Sequence, residues 1–335
     1  MIGRLVLAGA VVAPFAVGLL MSRSDAGNVE FRFEDPQIVE SSGLVAQDGL
    51  FMTMNDSGDS GRVFAVDPRT GETVGTTSWG DEVTDIEGLA PAGDGQVWVG
   101  DTGDNLHRRG SVRLFRVPVG AEDRTVEPEE WDLTFPGGSQ DAETLMANPV
   151  TGRVYLASKG VFGGRLYAVP EDLGPGANRL KAVGHVLPIA TDGAFFPDGK
   201  HVVVRDYSRA VFYSFPGMEE VGTLRLPQQR QGEGIAVDAA GSVFVSSEGQ
   251  HSAVLRVPLP SAIREVVTPP DAPEPTSTAT STPGADAPTT TPAGESPDAE
   301  RWTWRGRPWW TYAVVGWTGL VLVIVAVRGV RRLRK

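Results

Sequence analysis

Acidic residues recur at one position of a repeated sequence pattern. Five segments align when their central residues are stacked, and they lie roughly 40 to 55 residues apart. The segments are residues 41–45, 86–90, 142–146, 191–195 and 232–236. Four of them carry a carboxylate at the same place, namely Glu87, Glu143, Asp192 and Glu233. Carboxylates that converge on one point repel each other unless a cation or protons compensate their charge.

A second polar set flanks these segments. Some of its members precede a segment, and the others follow the β-rich run that comes next in the chain. The set comprises Asn55, Asp56, Asp85, Asp101, Asp104, Asp141, Asp206 and Glu248. We expect these residues to form a ligand-binding face.

Two arrangements can compensate the negative charge of this face. The chain has no cysteine and four histidines, and hard oxygen ligands favour Ca²⁺ over zinc or copper. This interpretation predicts one Ca²⁺ with Glu87, Glu143, Asp192 and Glu233 as ligands. The alternative is that Lys159 and Arg205, which occupy equivalent positions in two repeats, neutralise the acids as structural ion pairs.

The elements that would position these residues are short strands. Each segment is followed by a turn, a β-rich run and a third strand, which is typical of the blades of a β-propeller. The runs after the turns are residues 50–54, 96–100, 153–157, 201–205 and 242–246. Five blades are predicted, or six if residues 105–140 contain another one. The last repeat lacks an outer strand, so residues 29–33 are expected to close the ring.

Several short motifs resemble a known group of proteins over about residues 40 to 257. They are Asn-Asp-Ser-Gly at 55–58, Asp-Ile-Glu at 85–87, Gly-Asp-Thr-Gly-Asp-Asn at 100–105, Asp-Ala-Glu at 141–143, Ser-Lys at 158–159, Val-Arg-Asp-Tyr at 204–207, Gln-Gly-Glu-Gly-Ile at 231–235 and Ser-Glu-Gly at 247–249. This ordered set resembles exported bacterial β-propellers described as WD40-like or phytase/esterase-like. The resemblance implies an all-β propeller fold.

The ends of the chain predict its location. An apolar run follows Arg4, and Ser24 and Ala26 fit a signal peptide over residues 1–26, although an uncleaved anchor is the alternative. Residues 27–267 form the predicted propeller, and residues 268–308 a Pro/Thr-rich stalk with a juxtamembrane segment. Residues 309–327 are an uncharged apolar stretch that predicts one transmembrane helix. The basic tail at 328–335 places the C-terminus in the cytoplasm and the propeller outside the cell.

These features favour a binding function. The net charge of −12 argues against a nucleic-acid partner. The expected function is a membrane-tethered surface module that binds a cell-envelope ligand or a partner protein through its acidic face, with Ca²⁺. A calcium-dependent phosphoesterase or esterase is the alternative, and there Lys159 and Arg205 would stabilise the developing anion.

Overall fold

Each predicted repeat forms one antiparallel sheet. The structure is a computed structural model that describes residues 27–56, 58–80 and 83–267, together with the backbone of residues 303–304 and 307–308. The chain divides into two units, Met1–Pro275 and Thr276–Lys335. In the second unit, the described residues form a pair of short antiparallel strands.

In each blade the strands follow one another from the axis of the propeller outwards. Blade 1 contains β2 (Ser41–Gln47), β3 (Leu50–Asn55), β4 (Arg62–Val66) and β5 (Thr73–Ser78). Blade 2 contains β6 (Ile86–Gly93), β7 (Gln96–Asp101), β8 (Val112–Pro118) and β10 (Glu129–Thr134). Blade 3 contains β11 (Ala142–Ala147), β12 (Val154–Ser158), β13 (Gly164–Ala168) and β15 (Lys181–Val186). Blade 4 contains β16 (Asp192–Phe195), β17 (His201–Arg205), β18 (Arg209–Ser214) and β19 (Glu219–Arg225).

Blade 5 is built from both ends of the domain. It contains β20 (Ile235–Val237), β21 (Val243–Val245) and β22 (Ala253–Val257), and its outer strand is β1 (Asn28–Arg32). The antiparallel pairing of β1 with β22 confirms the predicted closure of the ring by the N-terminal strand. Helix α1 (Ser261–Val267) follows β22 and contacts β19 of blade 4.

The described part of the chain forms five blades. Residues 105–140 add strands to blades 1 and 2 instead of forming a sixth blade. Within this region β9 (Arg124–Thr125) extends blade 1 by pairing parallel to β5. A similar short strand, β14 (Asn178–Arg179), pairs parallel to β10 of blade 2. Two blades therefore have a fifth strand contributed by a later segment of the chain, which the sequence analysis did not predict. The remaining pair of strands is β23 (Thr303–Trp304) and β24 (Arg307–Pro308).

The core lies between neighbouring blades. Each of five buried apolar clusters is shared by two adjacent blades, as with Met54 of blade 1 and Val99 of blade 2. Each inner strand contacts the inner strands of the blades on both sides, so β2, β6, β11, β16 and β20 surround a central axis.

Glycine in the repeated pattern allows this close approach of the inner strands. A Cβ atom at Gly88 would lie 2.5 Å from the Cβ of Leu145 on the next blade. Gly43, Gly193 and Gly234 occupy the equivalent positions and are similarly close to Leu89, Met146 and Leu44. Blade 3 has Thr144 at this position, and its buried hydroxyl makes no hydrogen bond to the described residues.

In the part of the chain that the structure describes, no helix is long and apolar enough to cross a membrane. The predicted transmembrane helix at residues 309–327 lies outside the described residues. The predicted signal peptide, most of the stalk and the basic tail also lie outside them.

Candidate functional site: the acidic mouth

Strand pairing gathers the predicted site residues at one end of the propeller. In each blade the start of the inner strand faces the end of the second strand. Examples are Ser41 opposite Asn55 and Asp192 opposite Arg205. The loops between the second and third strands begin at this same end. We call this end the acidic mouth.

One residue from each blade occupies an equivalent position around the axis of the mouth. These five residues are Ser42, Glu87, Glu143, Asp192 and Glu233. All five are buried. The structure therefore places the four predicted metal ligands in one layer, with a serine completing it in blade 1.

Three of these acids influence one another electrostatically. Burial is the main reason that the pKa of Glu87 and that of Glu143 lie above the usual range, and the negative charge of Glu143 raises the pKa of Glu87 further. Burial likewise raises the pKa of Glu233 to about 7. Glu233 in turn raises the pKa of Glu143. Ionisation of one acid therefore disfavours ionisation of the next, and a cation or protons would relieve this repulsion.

A compact group of carboxylates lies on the side of the mouth formed by blades 1 and 2. Asp56, Asp85 and Glu87 each place one carboxylate oxygen within 4.8 Å of the other two. A Ca²⁺ ion binds oxygen at about 2.3–2.6 Å, so oxygens on opposite sides of one ion lie about 5 Å apart. The three oxygens therefore lie close enough together to contact one cation.

The surroundings hold this group in place. The hydroxyl of Ser42 donates to Oε2 of Glu87 at 3.3 Å. Gly103 passes directly beside the carboxylate of Asp85, where a Cβ atom would clash. Burial raises the pKa of Asp85 to about 6, and the negative charges of Asp56 and Asp141 act in the same direction.

Glu143 faces the mouth from blade 3. Lys159 Nζ donates to Oε1 of Glu143 in an ion pair. The other carboxylate oxygen, Oε2, is buried and makes no hydrogen bond to the described residues. An unpaired buried carboxylate oxygen is costly, so this atom is available to a ligand that donates a proton or carries positive charge.

Lys159 links Glu143 to blade 4. Burial alone would lower the pKa of Lys159, but its contacts with Glu143 and Tyr207 raise it above the usual range. The ammonium group lies 5.4 Å from the centre of the Tyr207 ring, within cation–π distance. Lys159 is therefore charged at neutral pH and neutralises one acid of the mouth.

Asp192 and Arg205 serve the blade interface instead of the open mouth. Asp192 Oδ1 accepts from the backbone N–H of Gly193 and Oδ2 accepts from that of Ile235, both at 2.8 Å. Arg205 is fully buried and donates to the carbonyl oxygens of Gly234, Ser246 and Asp206. These contacts connect blades 4 and 5.

The other predicted face residues form a set of loop-fixing contacts around the mouth. Asp101 accepts from the backbone of Thr84 and Asp85, and forms ion pairs with Arg109 at 2.7 Å and Arg113 at 2.9 Å. These two arginines, which the sequence analysis missed, neutralise an acid that was predicted to face a ligand.

Three more predicted residues accept hydrogen bonds from backbone N–H groups. Asn55 Oδ1 accepts from the backbone N–H groups of residues 39 and 40. Asp104 accepts from the backbone N–H groups of residues 108 and 109. Asp141 Oδ1 accepts from the backbone N–H of Asp104, which joins blades 2 and 3. These side chains shape the loops of the mouth.

The last two predicted face residues differ from each other. Asp206 accepts from Ser208 and forms an ion pair with Arg209 at 2.9 Å. Glu248 accepts from Gln231 at 2.5 Å, and burial raises its pKa, with Glu40 and Asp56 acting in the same direction. Glu248 therefore lies among other acids, whereas Asp206 is paired with a neighbouring arginine.

Exposed apolar side chains lie in the loops of three blades at the acidic mouth. Phe162 is 102% exposed, next to the exposed Val161, in the loop that follows β12. Leu106 lies in the corresponding loop of blade 2, and the partly exposed Tyr207 in that of blade 4. Tyr207 belongs to the motif at 204–207, whereas Leu106, Val161 and Phe162 were not predicted, since exposure of an apolar loop residue has no sequence pattern.

Comparisons with known proteins add little to this geometry. No protein-family model matches the chain, and no curated protein matches it. Among solved structures, a nidogen/laminin complex is similar with 14% identity and a TM-score of 0.44, over 64% of this chain and 74% of that one. The hydrazine synthase of Kuenenia stuttgartiensis is similar with 13% identity and a TM-score of 0.39, over 63% of this chain and 56% of that one. The assignment of a five-bladed propeller rests on the sheets described above.

Proposed function

We propose that this protein is a non-enzymatic surface module that binds a cell-envelope ligand or partner protein through the acidic mouth, with Ca²⁺ bound there. The observation that carries the proposal is the group formed by Asp56, Asp85 and Glu87, whose oxygens lie within 4.8 Å of one another. The buried Oε2 of Glu143 in the adjacent blade 3, which makes no hydrogen bond to the described residues, supports it. A bound cation would offset the repulsion among these carboxylates.

The proposed ligand set differs from the one predicted from sequence. Glu87 belongs to both sets. Asp192 is left out because backbone N–H groups occupy both of its oxygens. Glu143 and Glu233 are assigned to the surroundings of the ion, where Lys159 already offsets part of their charge. Asp56 and Asp85 are the other two proposed ligands, in place of Glu143, Asp192 and Glu233.

The buried position of Arg205 argues against the alternative of a hydrolase. An arginine that stabilises a developing anion has to reach the substrate. Arg205 is fully enclosed and donates to carbonyl oxygens at the blade interface. One of the two residues assigned to anion stabilisation is therefore committed to the fold.

Calorimetry with Ca²⁺ tests the ion directly. Calcium should release or absorb heat on binding and should raise the melting temperature, because an ion that binds only the folded state stabilises it by mass action, by about 2.7 kcal/mol at a hundred times the dissociation constant. Glu87→Gln and Asp85→Asn should abolish both responses. Glu219→Gln, which changes an exposed acid on β19, should leave them intact. Absence of heat, together with a melting curve that chelator does not change, would refute calcium binding.

The partner should bind on the same side as the ion. A photo-crosslinking residue in place of Phe162 samples the mouth, and one in place of the exposed Val150 samples the opposite end. On intact cells, adducts should form from position 162 and diminish when calcium is removed. Equal yields from both positions would contradict binding through the mouth.

We further propose that residues 309–327 tether the module to a membrane with the propeller outside the cell. Their composition supports this arrangement, as do the basic residues at 328–335. Protease added to intact cells should remove the propeller and leave a small membrane-bound fragment. Full protection of the propeller until the cells are lysed would exclude this topology.

A further inference from the structure

A cavity lies at the end of the propeller opposite the acidic mouth. Its volume is about 460 Å³, and all five blades contribute lining residues. It is formed where the inner strands end and the turns to the second strands begin. Cavities that bind small molecules typically have about 300–1,000 Å³. We call this space the lower cavity.

The walls of the lower cavity are mainly apolar. Leu44, Leu89, Met146, Phe195 and Ala236 each come from the inner strand of a different blade. Apolar walls of this kind exclude charged groups but favour rings and alkyl chains. The body of a matching ligand is therefore apolar.

The rim of the lower cavity is acidic. Asp48 and Asp94 lie at its edge in equivalent turns of blades 1 and 2, and both are exposed. Within the described residues, neither carboxylate has a hydrogen bond or ion pair. By contrast, the rim residue Asp238 accepts from the backbone of Ala240 and Ser242, which fixes its turn. Two carboxylates therefore remain for a positive group next to an apolar space.

We propose that the lower cavity binds a small organic amine, with its apolar body inside and its ammonium group between Asp48 and Asp94. This site is separate from the acidic mouth and does not depend on the proposed calcium. The charge of the rim complements a cation, and the net charge of −12 attracts cations to the molecule as a whole.

The absence of cysteine from the sequence makes a specific test possible. Ala194→Cys introduces one thiol into the lining of the lower cavity in the full chain, and a neutral thiol reagent reports its accessibility. Tryptamine, tryptophol and indole-3-acetate share one ring system but carry positive, zero and negative charge. Ala46→Cys, also in the lining, serves if the first variant does not fold. Ala240→Cys is the control, since residue 240 is exposed but is not part of the lining.

Tryptamine should slow modification of the thiol in Ala194→Cys by about tenfold when present at ten times its dissociation constant. It should leave Ala240→Cys unaffected. Failure of tryptamine to protect either lining thiol would overturn the proposal. If tryptophol protected the thiol equally well, the assigned ligand class would be wrong, because the cavity would then bind apolar molecules regardless of their charge.

The role of the rim is tested with Asp48→Asn combined with Asp94→Asn. Both positions have positive φ, 53° and 49°, a conformation that asparagine adopts readily. The double variant should therefore keep its turns. Protection of the cavity thiol by tryptamine should fall several-fold. Unchanged protection would show that the two carboxylates do not bind the ammonium group.

Discussion

The guanidinium of Arg205 in blade 4 donates a hydrogen bond of 2.9 Å to the carbonyl oxygen of Gly234 in blade 5. Burial lowers the pKa of Arg205 to about 10, although the negative charge of Glu233 and Asp192 opposes this effect. Arg205 therefore remains charged at neutral pH and compensates these acids from inside the interface.

Arg205→Met should lower the free energy of unfolding by about 3–5 kcal/mol, because it leaves carbonyl oxygens and acids without their buried cation. Arg209→Met removes an arginine from an exposed ion pair in the same blade and should cost less than about 1 kcal/mol. Denaturant titration measures both losses. Similar losses from the two variants would contradict a structural role specific to Arg205.

Gly88→Ala should destabilise the domain by about 1–3 kcal/mol, since the added methyl group would overlap Leu145 of the next blade. Gly110→Ala is the matched control, because a Cβ at Gly110 meets no atom within 4 Å. Thermal unfolding compares the two. If Gly88→Ala is as stable as the control, then close packing of the inner strands does not explain the repeated glycine.

Stability should decrease as the pH rises, and Glu233 should account for part of this decrease. Its pKa in the folded protein, about 7, lies above the ordinary value of 4.5. A group with a raised folded pKa stabilises the fold fully below its unfolded pKa, and this contribution is lost as the pH rises through the folded pKa.

The measurement is the free energy of unfolding in chelator between pH 4.5 and 8. Glu233→Gln should reduce the decrease over this range, because a neutral amide does not ionise. Glu219→Gln on β19 should leave the pH dependence as it is in the unchanged protein. An identical slope for Glu233→Gln and the unchanged protein would show that Glu233 does not titrate in this range.

Phe31→Ala should weaken the closure of the ring. Phe31 is buried on β1, and its ring is 5.0 Å from that of Phe51 in blade 1. Loss of a buried aromatic ring typically costs about 3–5 kcal/mol. Val29→Ala on the same strand changes a side chain that is 54% exposed and should have little effect. Equal stability of the two variants would mean that β1 contributes little to blade 5.

Repetition explains why most of the fold was predictable from the sequence. The turn and strand patterns after each segment lie within short stretches of chain, so β2, β3 and β4 follow from local sequence. The short strands β9 and β14 were not predictable, because each joins a blade through a loop and has two residues. Their position depends on contacts between distant parts of the chain.

The acidic layer was predictable for the same reason, since strand pairing fixes equivalent positions in each blade. The partners of the individual acids were not. Glu87 and Asp192 occupy the same position in their blades, yet one faces other acids and the other accepts two backbone N–H groups. Part of this difference arises from the neighbouring blade, which supplies the N–H of Ile235 and which the pattern within one repeat does not describe.

Closure of blade 5 also sets the time at which this domain can finish folding. Arg32 on β1 pairs with Ala253 on β22, so β1 cannot pair until β22 has been synthesised. At a synthesis rate of about 5–20 residues per second, the wait is about ten to forty seconds. During this time β1 is a free strand with exposed backbone groups, which another chain can pair with. A chain that ends before residue 253 therefore lacks the strand that pairs with β1, and its blades cannot close into a ring.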